Sequence, residues 1–448
     1  MKLFKTWYTI LLLALPSLFA FASQTVTGTV NLILVGDLGY LAIAIVGVTN
    51  IIMYNVFAIF SGIGHSVNYL VAQNFGSNEM RKGMQRTYLA LLVSVGVAVI
   101  ITIAGWLASE AVLRLTGASS NFIATGTEYV ELRFYAMAFG IISFVFHGFF
   151  RGIGDTRKSM IVSIISNALM IALTYGLTYG HWGLPDMGLV GAGYALVIGE
   201  AVQLVICLIV FWGPLHRKFQ TRSIPKPDWS ELRLISQESG KLGLQEFSMS
   251  ISMYIFTIFV LTLGEVATAA NEMALSVMSF GFMPAFAFGS TATILIGQYL
   301  GQRNPKTAKV MGTHTAVLGT IFLILLGTAE LIWADPIARM YSDDPEVYHL
   351  AADLIRASAY LQIFDGFYNF YAGGLRGIGD TTFLMRASIV LSLFLFIPIT
   401  YLFVIVFDWG SMGAWYALYS FLVVLGLTVM VRYYRTDFST VQLKEAAH

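Results

Sequence analysis

Twelve apolar segments follow one another along this chain, at about 7–35, 41–72, 87–109, 122–149, 158–180, 191–213, 242–263, 267–297, 311–334, 350–375, 383–407 and 411–434. Each matches or exceeds the roughly 20 residues with which a helix crosses the hydrocarbon core of a bilayer. In lipid, backbone N–H and C=O groups can pair only with one another, so a span is either a helix or a strand of a closed barrel. Barrel strands need only about 9–11 residues, which leaves helices. Of the 448 residues, 57% are hydrophobic and 11% charged, against about 25% charged in an ordinary soluble protein. A set of water-soluble domains is excluded. The net charge of +1 offers no basic surplus for nucleic acid, and Cys207, the only cysteine, excludes an internal disulfide and a multi-cysteine metal site.

At the N-terminus two readings compete. Lys2 and Lys5 precede the first run, and Ala20-Phe21-Ala22 resembles the cleavage box of a signal peptide. The apolar character nevertheless continues through Thr25–Val35 to Gly36, and the repeat described next requires a span here. A first membrane helix is therefore expected, kinked at Pro16. Basic residues set the orientation. Lys2, Lys5, Arg81, Lys82, Arg86, Arg157 and Lys158 fall at the N-terminus or after spans 2 and 4. Arg217, Lys218, Arg222, Lys226 and Arg233 follow span 6, and Arg303, Lys306 and Lys309 follow span 8. The opposite loops hold mainly acids, with Arg114 and Arg339 as the basic exceptions. Both termini are expected in the cytoplasm.

The chain is also a duplication. Arg151-Gly152-Ile153-Gly154-Asp155-Thr156 recurs as Arg376-Gly377-Ile378-Gly379-Asp380-Thr381, and the same offset of 225 pairs Gln73 with Gln298, Gly76 with Gly301, Tyr135 with Tyr360 and Phe139 with Phe364. Gly191–Leu196 matches Gly413–Leu418 at offset 222. Six spans return the chain to the side it started from, so the halves are parallel repeats about an axis along the membrane normal. The expected fold is an all-α polytopic membrane protein with twelve transmembrane helices in two parallel six-helix repeats: an N-lobe at 1–213, a cytoplasmic linker at 214–240 and a C-lobe at 241–448, with a cavity between the lobes. Two such bundles rocking against each other form a transporter architecture. The repeated motif itself reads as a turn, its glycines ending the fourth and tenth helices and Asp155 and Asp380 capping the next ones.

Ionisable groups at membrane depth are costly and mark function by default. Asp365 is the clearest, near the middle of span 10, with Gln362 at i−3, Tyr368 at i+3 and Asn369 at i+4 on one helical face. Its repeat mate is Gly140, so the symmetry breaks there. Glu246, beside Gln245 and one turn before Ser250, faces either a cavity or cytoplasmic water. Glu272, next to Asn271, opens span 8. Glu200 with Gln203 in span 6, and Glu330 in span 9, are weaker candidates because both fall near span ends. The first half carries amides instead: Asn31, Asn50, Asn55, Asn68 and Asn167. His65 and His147 read as ordinary helix residues. Tyr254, Met273, Phe280, Met283, Tyr368 and Tyr371 can line an adaptable apolar pocket.

Twelve spans, parallel halves and Leu375-Arg376-Gly377 followed by Asp380 resemble the multidrug and toxic compound extrusion (MATE) family. Leu34-Val35-Gly36-Asp37-Leu38-Gly39 and Gln298-Tyr299-Leu300-Gly301 are similar to that family's stretches after spans 1 and 8. Asp365 stands eleven residues before Arg376, as the family's tenth-helix acid does. The resemblance implies secondary active export of amphipathic, cationic organic compounds by alternating access of the lobes, driven by inward H⁺ or Na⁺. It implies no cofactor, and small organic substrates and the lipid bilayer as partners. It places the chain as a monomer in the inner (plasma) membrane. Asp365 is expected to bind the coupling ion, Na⁺ included, with Glu246 or Glu272 assisting. This chain departs from the family where Asn31 stands for a first-helix acid, and where Asn167 is followed four residues on by Ile171.

The alternatives within the superfamily are a dedicated metabolite exporter and a lipid-linked saccharide flippase. A flippase needs a cationic groove for pyrophosphate, for which only Arg133 and Arg356 qualify. No His-Glu-x-x-His, Gly-x-Ser-x-Gly or phosphate-loop motif occurs, so an enzyme and direct ATP drive are not expected.

Overall fold

The computed structural model describes residues 2–115 and 119–446, and among these the chain is helical with no strand. Twelve long helices carry it: α1 (Lys2–Gly36), α2 (Tyr40–Gly76), α3 (Met80–Leu115), α4 (Ser120–Gly152), α5 (Thr156–Tyr179) and α6 (Gly188–Trp212) in the first half. The second half has α7 (Trp229–Leu261), α8 (Glu265–Gly301), α9 (Pro305–Ile332), α10 (Pro345–Ile378), α11 (Thr381–Val406) and α12 (Gly410–Arg435). Eleven of them are long and apolar enough to cross a membrane. The twelfth, α10, is long enough at 34 residues but carries Asp353, Arg356 and Asp365 in its length. Large apolar side chains such as Ile100, Trp106 and Phe394 are exposed along the helices, as a lipid-facing surface requires. The protein is an all-helical, multi-pass membrane protein built of two six-helix repeats.

Backbone conformation carries the repeat as clearly as the sequence does. Left-handed φ angles occur at Gly39 (110°) and Gly264 (101°), at Asn78 (63°) and Arg303 (56°), and at Gly154 (80°) and Gly379 (89°). Each pair is separated by the 225-residue offset. Gly188 (54°) and Gly410 (60°) form a fourth pair at the offset of 222. Turns with a left-handed residue at the corresponding place recur, in the same order, in both halves.

The repeated motif departs from the expectation on one side. In the first half Gly154 makes the left-handed turn and Asp155 caps α5, its Oδ1 accepting from the Lys158 N–H at 3.3 Å. In the second, Gly379 ends α10, but Asp380 caps nothing. Its Oδ2 accepts instead from Arg432 Nε on α12 at 2.8 Å. An ionised donor makes the stronger bond and draws the carboxylate away from the helix start.

Several helices run beyond their apolar segments. α7 begins at Trp229 rather than 242, inside the stretch read as a linker, which also contains a short helix at His216–Phe219. Polar side chains hold this extension. Arg86 Nε donates to Glu231 Oε2 at 2.8 Å, and the Tyr69 hydroxyl donates to Glu238 Oε2 at 2.7 Å.

The chain forms two compact units. One contains the chain up to Leu18, Gly76–Asn78 and Leu244–Lys444; the other contains Phe19–Phe75, Glu79–Gly243 and the residues from Glu445. The unit boundaries therefore pass through α1, just after Pro16, and through α7. The core of the first unit gathers Ile10 and Ala14 with Phe256, Phe396, Trp415 and Phe421. That of the second gathers Ile235 and Leu242 with Phe146, Phe149 and Phe211, whose rings meet edge to face at 5.1–5.2 Å. In α11, π-helical turns at Ser392–Phe396 and Leu402–Val406 flank Pro398. Proline has no N–H to donate and its ring crowds the carbonyl four residues back, and the wider turns accommodate it.

Candidate functional site

Asp365 lies deep in the second half. It is 6% exposed, and Gln362, Tyr368 and Asn369 on the same face of α10 are buried with it. Asn369 Nδ2 donates to Asp365 Oδ2 at 3.2 Å and to the Asp365 carbonyl at 2.9 Å. One turn back, Gln362 Nε2 donates to Glu330 Oε2 of α9 at 3.0 Å. One turn forward, the Tyr368 hydroxyl accepts from Gln245 Nε2 of α7 at 2.7 Å. Three helices thus enclose one polar stripe. Glu330 belongs to it, although apolar patterning places that residue at a span end.

Glu246 follows Gln245, the residue of α7 that donates to Tyr368 of the same stripe. It does not simply reach out to water: Arg376 Nη2 donates to Glu246 Oε1 at 2.6 Å, and both side chains are at most one-fifth exposed. Arg376 is the opening residue of the repeated motif, so that motif does more than turn the chain. Its mate Arg151 sits over the rings of Phe144 and Phe21, at 5.1 and 5.7 Å from their centroids. Phe21 is the 225-residue mate of Glu246. The same arginine meets an aromatic face in one half and a carboxylate in the other.

The group contains oxygens with no donor. Among the described residues, Gln245 Oε1, Glu330 Oε1 and Gln362 Oε1 are buried without a hydrogen-bond partner. Buried acceptors are ordinarily satisfied, and oxygen acceptors of this kind are the type of ligand that hard cations and protons take. No cluster of three His, Cys, Asp or Glu side chains capable of holding a metal occurs among the described residues.

The remaining sequence candidates lie elsewhere. Glu272 is exposed near the start of α8, and among the described residues no ion pair or hydrogen bond joins it to the Asp365 group. Its neighbour Asn271 is buried and accepts from Trp415 Nε1 at 3.0 Å. Asn167 is buried and donates to Ser23 Oγ of α1 at 2.8 Å, while Asn31 Oδ1, two turns beyond Ser23, is a buried acceptor without a donor. His147 is buried against Ser159. Tyr368, Tyr371 and Met283 are buried, whereas Tyr254 and Phe280 are exposed. Arg356 is neutralised by Asp335 and Asp353, and Arg133 Nη1 donates to Asn50 Oδ1 at 2.8 Å and to the Tyr129 hydroxyl at 3.2 Å.

A family model described as MatE matches the chain twice, at residues 16–176 and 242–402. The chain belongs to the MatE family. The tandem match falls on the two repeats, one copy in each half. Among curated proteins, this MatE chain is 25% identical over 405 residues to the probable multidrug resistance protein NorM of Thermotoga maritima, covering 90% of this chain and 87% of that one. It is 27% identical over 438 residues to the multidrug resistance protein PmpM of Pseudomonas aeruginosa, covering 94% and 88%. Among solved structures, a crystal structure of MATE in the straight conformation matches with a TM-score of 0.86 at 20% identity, over 95% of each chain. That likeness carries the fold.

Proposed function

We propose that the protein is a secondary antiporter that exports amphipathic, cationic organic compounds in exchange for H⁺ or Na⁺, by alternating access of its two lobes. The observation that carries this reading is the Asp365 group: one deeply buried carboxylate on a polar stripe of three helices that also holds three unsatisfied acceptor oxygens, in a chain of a family whose curated relatives are named for multidrug resistance. A carboxylate that binds either a proton or Na⁺, or faces a cationic substrate, makes the two occupants compete, and competition at one group is what couples their movements. Asp365 is the coupling residue in this scheme, and Glu246, held by Arg376, assists it. The flippase alternative loses support because its two arginines are engaged by Asp335, Asp353, Asn50 and Tyr129.

The test is transport by the purified protein. Proteoliposomes preloaded with ethidium are expected to release it when an inward H⁺ or Na⁺ gradient is imposed, and to retain it without one. Retention under both gradients would remove organic cations from the substrate class and favour a dedicated exporter.

The same reading places the protein in the inner (plasma) membrane as a monomer, with both termini and the 214–240 segment in the cytoplasm and the 335–349 segment outside. Cys207 is buried, so single cysteines can be introduced against a quiet background. An impermeant maleimide applied to intact cells is expected to label Asp343→Cys and to spare Lys226→Cys. Labelling of the second and not the first would invert the topology.

A further inference from the structure

The first half has no acid at the mate of Asp365, because Gly140 stands there. The structure returns a carboxylate to that place from another helix. Glu200 lies midway along α6 (Gly188–Trp212), not near a span end. A Cβ built on Gly140 would meet Glu200 before anything else: Oε2 at 3.2 Å, Cδ at 3.4 Å and Oε1 at 3.7 Å. The glycine leaves room for that carboxyl group, where Asp365 in the other half supplies its own.

The surroundings are polar and mixed in charge. Gln203 Nε2, one turn along α6, donates to Glu200 Oε2 at 3.4 Å. Arg133 of α4 lies two turns before Gly140 on the same helix, and its Nη1 is engaged by Asn50 and Tyr129. Cys207, two turns on along α6, is buried. α5, the other helix packed on α6, carries charge only at Arg157 and Lys158 in its first turn, with Tyr175 and Tyr179 at its far end.

We propose that Glu200 is a proton-exchanging carboxylate of the N-lobe, an intramembrane proton site separate from the Asp365 group. The ligand is a proton rather than Na⁺ because a proton needs only the carboxylate, whereas a metal cation needs several oxygens around it, and the side-chain contact made to that carboxylate is a donor, Gln203 Nε2. The step is a simple exchange: the carboxylate takes a proton from water on one side and returns it as the acid deprotonates. The proposal deepens the coupling scheme above and relies on it only for the gradient that the proton follows.

The first test needs no substrate and no variant. N,N′-dicyclohexylcarbodiimide adds to protonated carboxyl groups in apolar surroundings and leaves a stable acylurea that peptide mapping locates. On the wild-type protein in lipid vesicles, Glu200 is expected to be labelled increasingly as the pH falls. Absence of label on Glu200 at every pH, or label independent of pH, overturns the proposal. Label on Glu200 with none on Asp365 would sustain it while removing the coupling role given to Asp365. The second test moves the acid. Glu200→Ala is expected to slow ethidium efflux driven by a pH gradient at least tenfold, and adding Gly140→Asp, whose new side chain enters the space vacated by Glu200, is expected to restore it. Unchanged efflux in Glu200→Ala overturns the proposal.

Discussion

Replacing Asp365 by asparagine is expected to abolish gradient-driven ethidium export, down to the level of empty liposomes, while leaving the protein folded. The amide has the shape of the carboxylate, and its oxygen can still accept from Asn369 Nδ2, which donates to Asp365 Oδ2 at 3.2 Å in the native protein. Packing around α10 therefore survives. An amide neither binds and releases a proton in this range nor carries the charge that holds Na⁺ or a cationic substrate. The partners of Asp365 are not equivalent to it. Gln362, Tyr368 and Asn369 shape the site, and their loss is expected to weaken transport rather than end it. Asn31→Ala is expected to cost less still, since Asn31 can lend only an oxygen. Folding is checked by thermal unfolding and elution of the purified variants, and transport by efflux from proteoliposomes. Export that survives Asp365→Asn but fails in Asn31→Ala would move the coupling site to the first half.

The second large effect is structural. α8 and α10 cross at Gly289 and Gly373, so closely that a Cβ on Gly373 would lie 2.1 Å from the Gly289 carbonyl oxygen and 2.7 Å from its carbon. Thr293 Oγ1 donates to the Gly373 carbonyl across the same contact at 2.9 Å. Small residues at such crossings let helix backbones pack directly, which is a main source of cohesion between helices in lipid. Neither side of the clash is a flexible side-chain tip, so nothing yields cheaply. Gly373→Val is expected to destabilise the protein at the upper end of the roughly 1–3 kcal/mol that overpacking costs, or above it. It should lower the unfolding temperature in detergent and displace Asp365 two turns away. Gly96→Val is the control, because a Cβ on Gly96 meets nothing within 4 Å. Equal stability of the two variants would mean that the α8–α10 crossing is not as close as described.

Much of this was legible in the sequence, for identifiable reasons. Lipid leaves few options for the backbone, so twelve apolar segments become twelve helices, and a collinear repeat sorts them into two sets of six. The Asp365 stripe was readable because i−3, i+3 and i+4 share a helical face in any environment. What escaped depended on groups distant in sequence. Asp380 looks like a cap until Arg432, on another helix, takes its carboxylate. Arg376 looks like the start of a turn until Glu246 is found beside it. Glu200 and Glu330 were discounted because apolar patterning blurs where helices end: Glu200 is at mid-helix, and Glu330, although near the end of α9, is buried by its contact with Gln362. The bias of acids toward the second half was visible as residue types, but Glu200 filling the gap at Gly140 needed two helices to be brought together.

One measurement addresses the central claim most directly: the ion released when ethidium binds the purified protein, followed with a pH dye in weak buffer and with a sodium electrode. If proton or Na⁺ and substrate compete at Asp365, ethidium binding to the wild type releases one of these ions, and Asp365→Asn loses the release attributable to that site. Ethidium binding that releases neither ion from the wild type, or that releases as much from Asp365→Asn, would contradict the account.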